Sequence, residues 1–294
     1  VKILEKDLKR LPRSNEFDSL RFILASAVLF LHSGFHFKIP LILNLSNKIQ
    51  AVPLFLYLSG FLVSESLYFS SSLFKYFEKR IRRILPAYYV VVFLGGLIFF
   101  MINLFSINQY ETNLFSLLKY YSHSFLFLDT KYPCIHDVPI EMNPAQCAVN
   151  GSLWTIKYEL FSYTLLPFIF FISRLFKFFF PLLTIASLIL LKIYIYDVPA
   201  YFTLLLCFLC GTGFSMSRKY WINIYREKKI SSFNRLFIVS LIAIFTGNSN
   251  LIPLWLGLPL LTFFSLFPTK KTRKNFNYLK VGDLSYGIYL LHWP

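Results

Sequence analysis

The chain has 294 residues, of which 56% are hydrophobic and 20% aromatic, and its mean hydropathy is +0.57. Soluble domains average about 45–50% apolar residues, and here the excess forms long uncharged runs, which excludes a single water-soluble core. The formal net charge of +16 could indicate nucleic acid. The basic residues lie in short loops between the apolar runs, however, so we expect no nucleic-acid partner.

Several apolar runs are long enough to cross a membrane, because a transmembrane helix needs about 20 mostly apolar residues. The sequence therefore predicts an all-α fold, a polytopic transmembrane helix bundle. We predict a single membrane domain over residues 1–294, with about nine spans and a tenth missing at the C-terminus, where the last run is cut off. The predicted elements are 20–38, 49–68, 84–105, 152–172, 178–195, 199–215, 235–246, 251–267 and 281–294.

The distribution of lysine and arginine predicts the orientation. With the N-terminus in the cytoplasm, 24 of the 30 basic residues fall on the cytoplasmic side, which is the positive-inside pattern. The stretch from 114 to 128 is moderately apolar but contains Lys119 and His123. If it crossed the membrane, the later basic clusters would lie outside. We therefore predict that residues 106–151 form one outer segment, with room for a short interfacial helix.

The four cysteines fall into two pairs of different character. Cys134 and Cys147 lie in the predicted outer segment, where a disulfide is favoured over two free thiols if the compartment is oxidising. Cys207 and Cys210 lie inside an apolar run, and we interpret them as packing residues rather than as metal ligands or a redox pair. The five histidines do not show metal-ligand spacing, so no metal site is expected.

The first predicted span carries two ionisable residues, Arg21 and His32. Their offset of eleven corresponds to about three helical turns, so the two side chains share one face about 16 Å apart along the axis. Ionisable residues within a span usually face the bundle interior or a water-filled cavity. A histidine can act as a general base near neutral pH. The alternatives are a buried polar contact for His32 and an interfacial anchor for Arg21.

A basic cluster from 79 to 83 precedes the third predicted span. Arg80 and Arg83 are three residues apart and therefore share a helix face. Two guanidinium groups on one face suit phosphate recognition. Positive-inside charge alone also explains such a cluster.

The fourth predicted span opens with Ser152 as a candidate N-cap and carries Trp154 and Glu159. Trp154 also fits an aromatic belt at the membrane surface. A carboxylate inside a membrane indicates a functional site by default, and Glu159 could orient a histidine or bind sugar hydroxyls. The structural alternative is an ion pair with Lys157, although residues two apart in a helix do not face each other.

The last predicted span carries Ser285, Tyr289 and His292. Their spacing of four and three residues places them on one helix face. Taken alone, this stripe is more typical of helix packing than of a site.

Together and in order, these segments resemble acyltransferase family 3 over nearly the whole chain. Each motif is weak alone, and the ordered set is specific. The matching segments are Arg21 to His32, Val52 to Leu62, Arg80 to Pro86, Gly151 to Glu159 with Tyr163 and Pro167, and Leu284 to His292. The resemblance implies a multi-pass protein of the bacterial cytoplasmic membrane. It also implies transfer of an acyl group, often acetyl, from cytoplasmic acyl-coenzyme A to a carbohydrate or glycolipid such as lipopolysaccharide or another polysaccharide.

The resemblance also implies roles for individual residues. The family's Arg-x10-His motif falls on Arg21 and His32, with His32 as the general base or as the site of a covalent acyl intermediate. Its Arg-x-x-Arg motif falls on Arg80 and Arg83, which would bind the phosphates of acyl-coenzyme A. Trp154 and Glu159 match a further family segment with an acceptor-side or orienting role, which we extend to Ser285, Tyr289 and His292. Acetyl-coenzyme A would be a donor substrate, and no permanently bound cofactor is expected.

The main alternative is a multi-span transporter or flippase of a polar glycan or small molecule. Ionisable residues within spans suit that function as well. It predicts movement of the substrate without any acyl donor. A membrane glycan polymerase or a non-catalytic scaffold explains the ordered motifs less well.

Overall fold

The computed structural model has the all-helical fold that the apolar runs predict. It describes residues 16–40, 42, 50–105, 114–128, 135, 148–176, 178–194, 199–221, 238, 242, 246, 252–265 and 281–291. In these residues the helices are α1 (Glu16–His36), α2 (Ala51–Tyr68), α3 (Leu73–Phe105), α4 (Leu114–Phe125), α5 (Ile156–Ile172), α6 (Phe179–Tyr194), α7 (Ala200–Trp221), α8 (Leu254–Ser265) and α9 (Val281–Leu291), and a 3-10 helix, Gly151–Thr155, directly precedes α5. Cys134, Cys147, His292 and most of the predicted element 235–246 lie outside the described residues.

Helices α2 and α7 pack against each other at the centre of the fold. The apolar stretch of α2 is 72% buried and that of α7 is 67% buried, as expected for helices that are hydrophobic on all sides. Glycines allow the close approach, because a Cβ added at Gly60 would lie 2.0 Å from the Phe208 carbonyl oxygen and one at Gly211 would lie 2.1 Å from that of Tyr57. Cys207 and Cys210 are buried in α7 as free thiols, in agreement with a packing role.

Helix α3 begins eleven residues before the predicted span, at Leu73, and runs through the basic cluster and Pro86. Lysine and arginine are good helix formers, so the helix continues where the apolar run stops. With 33 residues it is about 50 Å long, well beyond the roughly 30 Å hydrocarbon core of a bilayer. The helix therefore extends beyond the predicted apolar element 84–105 and includes Arg80 and Arg83, which were expected to share a helix face.

The predicted outer segment contains α4, which packs along α3 in the opposite direction. The hydroxyl of Tyr88 in α3 donates to the Ser124 carbonyl oxygen at 2.8 Å, and that of Tyr121 in α4 donates to the Phe93 carbonyl oxygen at 2.9 Å. Four described residues of α4 are buried, whereas Phe115 is 73% exposed. An amphipathic helix of this kind agrees with the short helix for which the sequence left room.

Four helical stretches in the described residues are long and apolar enough to cross a membrane. They are Ala51–Tyr68, Leu73–Met101, Gly151–Ile172 and Ala200–Arg218, and two shorter apolar stretches are Leu20–Gly34 and Phe179–Tyr194. Many large apolar side chains are exposed on the surface of the bundle, such as Phe93 of α3 and Phe168 of α5, as expected for helices that cross a hydrocarbon layer. An integral membrane protein is therefore supported, while the count of nine or ten spans stays a prediction.

Candidate active site

A cavity lies where α1, α2, α3, α5 and α9 meet. It has an empty volume of about 520 Å³ when its open mouth is included. Val52, Phe55, Leu56 and Ile84 form its apolar wall. The polar residues that line it are Arg21, Ser59, Arg83, Thr155, Glu159, Ser285, Tyr286 and Tyr289. Two guanidinium groups, one carboxylate and five hydroxyls thus surround one space within an otherwise apolar bundle, which is the expected setting for chemistry inside a membrane protein.

Arg21 and His32 occupy different places relative to this cavity. Arg21 is 6% exposed and lines the cavity. His32 is half-buried and does not line it. Eleven residues of α-helix separate the two by about 16 Å along α1. The structure therefore places the arginine in the cavity and the histidine about three turns farther along the same helix.

Arg80 and Arg83 also differ in their surroundings. Arg83 lines the cavity, whereas the Arg80 side chain donates to the Ser66 hydroxyl of α2 at 3.3 Å. Nε of Arg80 is buried and has no hydrogen-bond partner among the described residues. A buried donor of this kind is costly to leave unsatisfied, and an anionic ligand could satisfy it.

Glu159 lies on α5 one helical turn after Thr155, and both side chains reach the cavity. Its carboxylate accepts hydrogen bonds from the Ser59 hydroxyl at 3.2 Å and from the Tyr163 hydroxyl. Among the described residues no ion pair joins Glu159 to Lys157, as expected for residues two apart in a helix. The Lys157 ammonium lies 5.2 Å from the ring centre of Tyr158.

The C-terminal part of α9 is held in place by the start of α5. Asn150, rather than Ser152, caps the 3-10 helix, and its side-chain oxygen accepts from the Ser152 backbone N–H at 2.9 Å. The Asn150 side-chain amide donates to the Leu290 carbonyl oxygen at 2.8 Å. Farther into the cavity, the hydroxyls of Thr155 and Tyr289 are 2.7 Å apart and hydrogen-bonded. This network fixes the position of the polar stripe of α9 relative to Glu159.

The structure assigns Ser285 and Tyr289 to the cavity, where the sequence alone favoured simple helix packing. Tyr286 also lines it and donates to the Ile84 carbonyl oxygen at 3.3 Å. Sequence reasoning missed Tyr286, Ser59 and Thr155, because single hydroxyl residues in apolar helices are common packing residues. Only their position in the sequence could have indicated them, since each lies within or next to one of the segments that match the acyltransferase motifs. Trp154 does not line the cavity.

Comparison with known proteins gives a consistent result. The family described as an acyltransferase domain matches residues 14–294. Nodulation protein 10 of Rhizobium leguminosarum bv. viciae is 31% identical over 176 residues, which are 55% of this chain and 46% of that protein. A putative acetyltransferase, ORF330, of Acidianus two-tailed virus is 27% identical over 262 residues, covering 82% of this chain and 71% of that protein.

A third relative is the O-acetyl transferase of Shigella phage Sf6, which is 30% identical over 158 residues, 51% of this chain and 44% of that protein. The aligned part thus spans about half the length of two of these three relatives. No solved structure matches the chain.

Proposed function

The chain belongs to the acyltransferase 3 family, as its motifs predicted, and from this premise we propose that it moves an acetyl group from acetyl-coenzyme A to a hydroxyl of a carbohydrate. The prediction of an acyltransferase is confirmed by the family and by the names of the relatives. The donor, the acceptor and the bacterial cytoplasmic membrane as its location, with the N-terminus in the cytoplasm, are our proposals.

The observation that carries this proposal is the cavity itself. Arg21 and Arg83 supply fixed positive charge beside an apolar wall formed by Phe55 and its neighbours. Guanidinium groups bind phosphate strongly, and water-poor surroundings strengthen that attraction. Arg80 adds a buried donor one helical turn away. An acyl donor that carries phosphates at one end and an acyl group at the end of a long arm matches this combination of charge and apolar surface.

The separation of Arg21 from His32 suggests how the donor lies. The arginines would hold the phosphate-bearing end, and the pantetheine arm would extend along α1 toward His32. The acceptor oxygen would form a bond to the thioester carbonyl carbon while the bond from that carbon to sulfur breaks. The hydroxyl proton would pass to His32 and then to the departing coenzyme A thiolate. An acyl-His32 intermediate is the covalent form of the same transfer.

Glu159 and the hydroxyls opposite it suit the acceptor side. A carboxylate that already accepts from Ser59 and Tyr163 is held in one position, and it can accept a further hydrogen bond from a sugar hydroxyl. Thr155 and Tyr289 line the same cavity and are hydrogen-bonded to each other. Together they provide the polar surface that an acceptor needs for orientation.

The test is acyl transfer in membranes that contain the protein, with labelled acetyl-coenzyme A and a glycan fraction extracted from the host as acceptor. Wild type should place label in the glycan fraction. His32→Ala and the double variant Arg80→Ala/Arg83→Ala should place none while remaining in the membrane in equal amount. Undiminished labelling by His32→Ala would refute its role as base or nucleophile. No labelling by folded wild type would contradict the proposed donor and acceptor.

A further inference from the structure

A group of aromatic rings lies at the N-terminal ends of α5 and α7, beside the cavity and separate from its lining. Tyr158 of α5 and Tyr201 of α7 are stacked, with ring centres 5.9 Å apart and an angle of 17° between the planes. Trp154 meets Tyr158 edge to face at 5.8 Å. We call these three rings, with the Lys157 ammonium that lies 5.2 Å from the centre of the Tyr158 ring, the aromatic platform.

The rings of the platform are partly exposed on the surface of the helix bundle. Tyr201 is 50% exposed, and Trp154 and Tyr158 are half-buried. The separation of the two tyrosine centres is larger than the contact distance of aromatic faces, so the rings are offset and each leaves part of its face uncovered. Neither tyrosine hydroxyl has a hydrogen-bond partner among the described residues. The platform therefore combines open ring faces, available hydroxyls and one cationic donor.

The platform also borders the cavity along the 3-10 helix and the first turn of α5. Thr155, at the end of the 3-10 helix, and Glu159 in α5 both face the cavity. Trp154 and Tyr158 each precede one of them by a single residue, which is a rotation of about 120° in the 3-10 helix and about 100° in α5, so they lie on the adjacent face. A molecule resting on the platform would therefore lie next to the carboxylate and hydroxyls on the acceptor side of the cavity.

This arrangement suits a sugar ring. The face of an aromatic ring is electron-rich, and it attracts the polarised C–H groups that line one face of a pyranose, as it attracts cations. The hydroxyls at the edge of the sugar can bond to the tyrosine hydroxyls and to the Lys157 ammonium. We propose that the aromatic platform is a subsite for a glycosyl residue of the acceptor, next to the residue that is acetylated. This inference rests on the proposed function, and it assigns the acceptor path to the N-terminal ends of α5 and α7.

An aromatic belt at the membrane surface is the competing explanation, since tyrosine and tryptophan are enriched there in any membrane protein. A belt requires neither stacking between two helices nor a position beside the cavity. Tyr194, at the end of α6, is a matched control. It is 43% exposed and has no ring contact with another aromatic residue among those described. A belt role predicts equal effects of replacing Tyr194 and Tyr201.

The experiment measures the kinetics of acetyl transfer by wild type, Tyr201→Leu, Tyr201→Phe and Tyr194→Leu. The acceptor is the host glycan fraction, titrated by its hexose content. Because Tyr201 is half exposed, its replacement should not impair folding. Tyr201→Leu should raise the apparent KM for the glycan about fivefold, the value of one ring contact, and leave the KM for acetyl-coenzyme A unchanged. Tyr201→Phe keeps the ring and removes only the hydroxyl, so it should raise this KM less than Tyr201→Leu does, whereas Tyr194→Leu should stay close to wild type.

The possible results separate the two proposals. If wild type transfers label and Tyr201→Leu keeps the wild-type KM for the glycan, the platform is not an acceptor subsite. The same conclusion follows if Tyr194→Leu changes that KM as much as Tyr201→Leu does, since a belt then explains both. If folded wild type transfers no label, the proposed function fails first and the platform loses its basis with it.

Discussion

Replacing Gly60 with alanine should separate the two central helices. The added Cβ would lie 2.0 Å from the Phe208 carbonyl oxygen and 2.8 Å from its carbonyl carbon. Carbon and oxygen normally approach no closer than about 3.3 Å, and a backbone carbonyl in the middle of α7 cannot rotate away. Helices α2 and α7 would therefore have to move apart by roughly 1 Å, which forfeits a quarter to a half of the dispersion energy along the contact.

The expected cost of this overpacking is about 1–3 kcal/mol. In proteins of about 150–250 residues each kcal/mol corresponds to roughly 2–4 °C, and on that scale the melting temperature of Gly60→Ala should fall by roughly 2–12 °C. The movement should also reduce activity, because Ser59 precedes Gly60 and donates to Glu159 across the cavity at 3.2 Å.

The assay is thermal unfolding of the purified protein in one detergent, followed by intrinsic fluorescence. Gly287→Ala is the matched control, because in the part of the chain that the structure describes a Cβ added at Gly287 has no neighbour within 4 Å apart from the adjacent residues and backbone of its own helix. Alanine is also the better helix former by about 1 kcal/mol, so the melting temperature of this control should be unchanged or slightly raised. Equal melting temperatures for wild type and Gly60→Ala would show that the packing of α2 against α7 described above is wrong.

Three further predictions test other parts of the structure. Arg83→Ala should raise the KM for acetyl-coenzyme A about tenfold or more, because a charge-assisted contact is lost. Arg82→Ala should leave this KM unchanged, because Arg82 is 79% exposed and pairs with a surface glutamate. Steady-state kinetics that show equal effects of the two replacements would contradict the prediction. Arg218→Met should destabilise the protein by about 3–5 kcal/mol, because the buried Glu65 carboxylate loses the guanidinium that lies 3.2 Å away. Adding Glu65→Gln to this variant should restore much of the melting temperature. A double variant that is no more stable than Arg218→Met would argue against a direct pair. Asn150→Ala should destabilise the protein by about 1–2 kcal/mol, measured as a lower melting temperature, because the helix cap is lost, and it should slow acetyl transfer. A variant with wild-type stability and transfer rate would show that the contact between Asn150 and α9 is unimportant.

The sequence predicted the helices well wherever an apolar run was bounded by polar residues. The elements 20–38 and 49–68 correspond to Glu16–His36 and Ala51–Tyr68 within a few residues. The apolar element 84–105 covers only part of α3, because hydropathy follows the lipid contact of a helix and not its hydrogen bonding. A helix can continue through Lys79 and Arg80 into a polar environment without any change in backbone geometry.

The candidate site was predictable in its charged residues and less so in its hydroxyls. Arg21, Arg83 and Glu159 are conspicuous because charges in apolar segments are rare. Ser59 and Tyr286 reach the same cavity, but their contribution depends on how each helix is rotated about its axis. That rotation is determined by packing between helices, such as the close approach of α2 and α7, and no local sequence pattern records it.

The N-cap of the 3-10 helix also depends on a tertiary contact that the local sequence does not encode. Ser152 has the residue type of an N-cap, yet Asn150 holds that position, two residues earlier. Both residue types are favoured caps. Asn150 has in addition an amide that can donate to the Leu290 carbonyl oxygen of α9 while its side-chain oxygen caps the helix. A partner 140 residues away in the chain decides between two locally equivalent choices.

The most direct test of the central claim is transfer of label from acetyl-coenzyme A to the glycan fraction by purified protein reconstituted in lipid vesicles, with His32→Ala as the comparison. We expect wild type to release coenzyme A and to place one acetyl group in an alkali-labile ester on the glycan for each coenzyme A released. We expect His32→Ala to do neither. Folded wild type that neither consumes acetyl-coenzyme A nor labels the glycan would contradict the account.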